Sequence, residues 1–119
     1  MKVLICAEDH VVINIIEFTC QQEALGEVIT ATDLRKALGL IKLNNIKLII
    51  IDILLPVQSV LDIISFVRKN QCFKTPILLL STDGLEETVL EAFQLGANDY
   101  LQKPFTIPEL IVRIKNLLK

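Results

Sequence analysis

Apolar positions along this chain repeat with two periods, and the two periods take turns. Short segments rich in β-branched and aliphatic residues, several apolar on both faces, fall at residues 3–7, 28–31, 48–51, 77–80 and 100–101. They predict five strands. Between them apolar residues recur at three- and four-residue spacing: Leu34, Ala37, Leu38 and Ile41; Val60, Ile63, Ile64 and Val67; Leu85, Val89, Ala92 and Phe93. A first helix is expected over residues 11–23, with Val12, Ile15, Ile16 and Thr19 on one face. The last opens on Thr106-Ile107-Pro108-Glu109, a capping-box pattern, and carries Leu110, Ile111, Ile114 and Leu118 at helical spacing. Gly26 and Gly96 suit helix ends, where a left-handed backbone is needed. The predicted order is strand then helix, five times.

Strict alternation with strands apolar on both faces predicts a parallel sheet covered by helices on each side, an α/β fold. In such sheets ligands collect at the C-terminal strand ends, where strand order reverses. Glu8 and Asp9 follow the first strand, Asp52 the third, Ser81 and Thr82 the fourth, and Lys103 with Pro104 the fifth. Asp52 interrupts the run "KLIIIDILLP", and a lone carboxylate is costly to bury unless something pairs with it. Singly, each of these residues could be a helix cap or a solvated charge. Together they form three acids, two hydroxyls and one lysine on one edge. Two like charges ~4 Å apart repel by roughly 4 kcal/mol at an effective dielectric near 20, so a carboxylate triad calls for a cation. Oxygen donors without an available His or thiolate ligand fit Mg²⁺. A lysine and a hydroxyl opposite the metal would complete a cradle for a phosphoryl group, whose transfer depends mainly on positioning and charge neutralisation.

Composition narrows the setting. A chain of 119 residues is the size of one domain. Hydrophobic residues make up 52% and the mean hydropathy is +0.55, yet no apolar stretch approaches the ~18 residues of a membrane span. The N-terminus lacks the apolar core of a signal peptide, so a cytoplasmic protein without membrane contact is expected. Cys6, Cys20 and Cys72 are far apart and His10 is the single histidine, which favours buried or half-buried free thiols over a disulfide framework or a zinc site. A net charge of -2 and a pI near 5.3 argue against direct contact with nucleic acid.

Four motifs in the right order and spacing carry a resemblance to a known family over essentially the whole chain. "LICAEDH", "LIIIDILLP", "PILLLST" and "GANDYLQKPF" resemble the acid pair, the phosphoacceptor strand, the strand-four hydroxyl motif and the Lys-Pro signature of the bacterial two-component response-regulator receiver domain. The resemblance implies a CheY-like doubly wound sheet in the flavodoxin-like order 2-1-3-4-5. It implies that Asp52 accepts a phosphoryl group from a histidine kinase or histidine phosphotransfer protein, with no enzymatic activity beyond its own phosphorylation and dephosphorylation. Asp9, Asp52 and the backbone carbonyl of Leu54 would ligate Mg²⁺, with Glu8 acting directly or through water. Ser81 and Lys103 would bind the phosphate oxygens, and the Thr82 backbone would contact them. Ser81 and Tyr100 would switch the face of helix four, strand five and helix five, where a homodimer is possible. The Lys103-Pro104 peptide would be cis. The single receiver domain, residues 1–119, would stand alone or form the N-terminal part of a longer regulator.

The chain also departs from the pattern. Val57, Ser59 and Val60 stand where the family's loop after strand three favours turn formers, so a differently shaped loop is expected. Thr82 replaces a smaller residue. Val89, Leu95 and Asn98 replace charges used in dimers, whereas Asp99, Glu109 and Arg113 are retained. Leu54 cannot orient an attacking water, and Asp83 is expected to cap the helix beginning near Leu85, so a long-lived acyl phosphate is expected. Two rivals remain open: a flavin carrier, disfavoured by the acids after strand one, and a degenerate receiver that acts as a phosphorylation-independent interaction module.

Overall fold

The computed structural model describes residues 2–43, 45–69 and 74–119. The order is β1 (Lys2–Cys6), α1 (His10–Gln22), β2 (Glu27–Ala31), α2 (Leu34–Leu43), β3 (Ile46–Asp52), α3 (Val57–Lys69), β4 (Ile77–Ser81), α4 (Glu86–Leu95), β5 (Asp99–Gln102) and α5 (Ile107–Leu117). The five strands form one parallel sheet ordered β2-β1-β3-β4-β5, as the alternation and the resemblance led one to expect.

The two-faced apolar strands have a direct physical reason. Along β3, Ile49 and Ile51 point into a core shared with α2, α3 and α4, whereas Leu48 and Ile50 point into one shared with α1 and α5. β4 divides likewise, Ile77 and Leu79 to one side, Leu78 and Leu80 to the other. All eight are fully buried, and each such side chain stabilises the fold by about 1.5–3 kcal/mol relative to exposure. Val60, Ile63, Ile64 and Val67 form the buried face of α3.

Helix ends follow local chemistry. The Asp9 carboxylate accepts from the Val11 N–H at 2.9 Å, and Asp33 accepts from the Lys36 N–H at 2.9 Å. Thr106 and Glu109 complete the capping box of α5. Gly96 ends α4 at φ 121°. At the end of α1 the left-handed residue is Ala24, φ 51°, ahead of Gly26 at φ 135°. The Leu25 N–H there reaches the Cys20 carbonyl at 2.9 Å, and buried Leu25 seals the helix end.

Three expectations need correction or limits. Val57, Ser59 and Val60 do not shape a loop: they lie in the first turn of α3, with Val60 buried in the core, where a β-branched side chain is no obstacle. The core face of α1 uses Ile13 and Cys20 beside Val12, Ile16 and Thr19, because the helix lies deep against the sheet, and Ile15 is only partly buried. Cys6 and Cys20 are buried free thiols, while Cys72 lies outside the described residues. Among the described residues no helix is long and apolar enough to cross a membrane.

Candidate functional site

Strand order reverses between β1 and β3, which leave the sheet centre in opposite directions. β1 is followed by Glu8 and Asp9 and β3 ends on Asp52, so the crevice expected at a switch point is lined with carboxylates. Glu8, Asp9, Asp52, Leu54 and Leu55 wall a cleft of about 300 Å³. Glu8 and Asp9 are exposed, whereas Asp52 is only 2% exposed.

Asp52 is held from two sides. Its Oδ1 accepts from the Leu54 N–H at 3.0 Å. The Lys103 ammonium donates to Oδ1 at 2.9 Å and to Oδ2 at 2.8 Å, crossing from the end of β5. The Lys103 N–H donates to the Ser81 carbonyl at 2.7 Å, and the peptide to Pro104 is cis, as expected. The buried carboxylate in the apolar run therefore has a cation on both oxygens.

The other expected residues sit around this pair at different distances from it. Leu54 is 60% exposed on the cleft wall, an apolar side chain beside the carboxylate. Ser81 is buried and its hydroxyl contacts the Thr82 carbonyl at 3.4 Å. Ser81 and Thr82 line a second groove of about 310 Å³ with Val89, Leu90, Phe93 and Tyr100. Tyr100 is 43% exposed and meets Phe93 edge-on, 6.0 Å between ring centres at 86°. Glu8, Asp9, Asp52, Leu54 and Lys103 thus gather at one cleft, and Ser81, Thr82 and Tyr100 border the adjoining groove.

Asp83 does not cap α4. The helix begins after Leu85 without a side-chain cap, and the Asp83 carboxylate accepts instead from the Gln102 amide on β5. That partnership had no signal in the sequence, since it joins residues 19 apart through an exposed polar pair. Gln102 is the neighbour of Lys103 and was missed.

Among the described residues no three His, Cys, Asp or Glu side chains stand close enough together to hold a metal. The donor chemistry still fits Mg²⁺: the cleft offers hard oxygen ligands on Glu8, Asp9 and Asp52, with Leu54 at its wall. Lys103 supplies the positive charge to Asp52 in this arrangement, and Asp9 uses one oxygen on its own helix. Cys6, at the end of β1, is no alternative ligand, because burial pushes its thiol up to about 12.

Residues 3–115 match the response regulator receiver domain family, and the chain belongs to it. The chain is 31% identical over 118 residues to the transcriptional regulatory protein CpxR of Escherichia coli, covering 99% of this chain and 49% of CpxR. The chain therefore spans about half the length of that relative. The chemotaxis response regulator CheY4 of Vibrio cholerae superposes with a TM-score of 0.86 at 32% identity, covering 98% of each chain. The receiver domain of the sensor histidine kinase PA1611 of Pseudomonas aeruginosa shares the fold, with a TM-score of 0.86 at 24% identity over 98% of this chain and 96% of that one. That structure was solved with a magnesium ion coordinated in its active-site cleft.

Proposed function

We propose that this receiver-family chain is a phosphoacceptor of a two-component system, with Asp52 as the acceptor and a phosphohistidine on a cytoplasmic kinase or phosphotransfer protein as the donor. The observation that carries the reading is the near-complete burial of Asp52 under Lys103, beside two exposed acids at the switch point of the sheet. An Asp52 oxygen forms a bond to phosphorus as the phosphorus–nitrogen bond of the donor breaks, and the departing imidazole takes up a proton. Lys103 stays at hydrogen-bond distance and follows the charge from the carboxylate to the phosphoryl oxygens. The Ser81 hydroxyl and the Thr82 N–H, at the end of β4, would take the remaining oxygens.

Glu8, Asp9, Asp52 and the Leu54 carbonyl are the residues that would hold Mg²⁺. When bound, the ion neutralises the acids and the incoming phosphoryl charge together. Leu54 presents no group to orient water, and Asp83 is engaged by Gln102, so hydrolysis of the acyl phosphate is slow. A move of Ser81 toward the phosphoryl group opens room in the shared groove for Tyr100, which passes the change to the α4–β5–α5 face. Retained charges on that face are already engaged within the chain. Arg113 donates to Asp99 at 2.9 and 3.1 Å, and Glu109 serves the cap of α5, so a homodimer there would have to share them.

The test is uptake from the small donor acetyl phosphate. Mg²⁺ is expected to be required, Asp9→Asn to slow uptake at least tenfold, and Leu54→Asn to shorten the lifetime of the product. Uptake that is indifferent to chelation and to Asp9→Asn would contradict the assignment of the acid cleft.

A further inference from the structure

The two ends of α4 are held very differently, and the difference centres on one residue that the phosphoacceptor site does not use. Arg68 lies in the last turn of α3, the helix that begins five residues past Asp52. Its Nε and Nη2 donate to the Gly96 carbonyl at 3.0 and 2.7 Å. Nη2 also donates to the Asn98 side-chain oxygen at 2.7 Å, and Nη1 to the Thr75 carbonyl at 2.8 Å. Asn98 in turn accepts from the Ile77 N–H at 2.8 Å, while its own N–H reaches the Ile77 carbonyl at 3.0 Å. One guanidinium therefore joins the end of α3, the approach to β4, the end of α4 and the entry to β5.

Gly96 is shaped to this partner. Its backbone sits at φ +121°, and a Cβ there would stand 2.7 Å from Arg68 Nε and 2.9 Å from its Cγ. A side chain at 96 would have to displace the arginine stem. The α4 terminus is thus packed as well as bonded.

Among the described residues nothing comparable holds the start of α4. Leu85 provides no side-chain cap, and Gly84, at φ +88°, has open space around it. Among the described residues the side-chain ties there are two exposed bonds, the Gly84 N–H to Glu86 at 3.3 Å and the Gln102 amide to Asp83. Such bonds compete with water and open easily. This weakly held end is the one that follows Ser81 and Thr82.

We infer that Arg68 is the fulcrum of the switch: it fixes the C-terminal end of α4, so that a change at Ser81 and Thr82 tilts the helix about Gly96 instead of sliding or melting it. This rests on the phosphoacceptor reading of the site. A rigid helix of ten residues is about 15 Å long, and a tilt of about 10° at one end moves the other by about 2.6 Å. The displacement is largest beside Ser81 and Thr82 and falls to nothing at Gly96. Arg68 touches no reacting group and acts as a positioning residue.

Hydrogen exchange read by mass spectrometry tests this, with beryllium fluoride and Mg²⁺ as the phosphoryl mimic. In the wild type the mimic is expected to change exchange at least fivefold at residues 84–87 and less than twofold at residues 94–98. In Arg68→Lys and in Asn98→Ala, exchange at residues 94–98 rises at least tenfold without the mimic, and the mimic-induced change spreads along all of α4. Uptake of phosphoryl from acetyl phosphate stays within about twofold of wild type in both. A purely structural role would raise exchange but leave the mimic's effect confined to residues 84–87, and that result overturns the fulcrum. So does a wild type that responds equally at both ends. A wild type that does not respond at all, and takes up no phosphoryl group, overturns the phosphoacceptor reading together with the lever built on it.

Discussion

Two charged side chains are drawn into the body of this molecule at opposite ends of its sheet, and they are satisfied in opposite ways. At the C-terminal end, Asp52 meets a single full charge, Lys103, with both oxygens. At the N-terminal end, Arg68 spreads its N–H groups over the uncharged oxygens of Gly96, Thr75 and Asn98. The first pair faces an open cleft beside two more acids; the second is a half-buried guanidinium lodged between secondary-structure ends. A charge matched by many neutral dipoles is fixed in place, because moving it breaks several bonds at once. A charge matched by one mobile ammonium can exchange its partner, as a transferring phosphoryl group requires. Chemistry belongs at the first end and anchorage at the second.

Substitution at the two cations separates these roles. Lys103→Met leaves a buried carboxylate without its counter-charge, which costs about 3 kcal/mol of stability at neutral pH and abolishes most phosphoryl uptake. Arg68→Met leaves several oxygens without donors and costs about 2 kcal/mol, yet uptake at Asp52 continues. Urea denaturation gives the first quantity and intact mass the second. A Lys103 variant that is destabilised but takes up phosphoryl normally would erase the distinction between the ends.

Cys6 is a buried ionisable group with no charged partner as compensation. Burial pushes its thiol up to about 12, against an unfolded value near 9. The folded state thus keeps a proton that the unfolded chain releases. Its contribution is fully present below about pH 9 and is lost on the way to pH 12, with a slope near 1.4 kcal/mol per pH unit. Stability measured across pH 8–11 is expected to fall faster in the wild type than in Cys6→Ala. Parallel curves would mean that Cys6 is not closed off from water. The smallest effect is expected at an exposed cap: Thr106→Ala removes one half of the α5 capping box and costs about 1 kcal/mol by urea denaturation, with no change in uptake.

What could be read from the sequence follows the same division. Strand and helix periods are properties of neighbours along the chain, so the five units, the two-faced strands and the α5 cap were legible. Asp52 and Lys103 were legible because each interrupts a local pattern, a carboxylate in an aliphatic run and a lysine before proline. The Arg68 cluster was not: it joins residues up to 30 apart, and an arginine at a helix end reads locally as an ordinary solvated charge. Asp83 misled for the same reason. Its position ahead of a helix suited a cap, but the tertiary fold brought Gln102 within reach and the helix starts uncapped. Comparison with turn formers elsewhere suggested a loop at Val57 and Val60, whereas both lie in the first turn of α3, Val57 exposed and Val60 buried in the core.

The most direct measurement is to locate the phosphoryl group chemically. After reaction with acetyl phosphate and Mg²⁺, borohydride reduces an acyl phosphate on aspartate to homoserine, which peptide mass spectrometry reads position by position. Conversion is expected at residue 52 alone, and none in Asp52→Ala. Conversion at Asp9 or Glu8 in the wild type, or an unmodified Asp52 in a chain that has gained a phosphoryl group, would contradict the account.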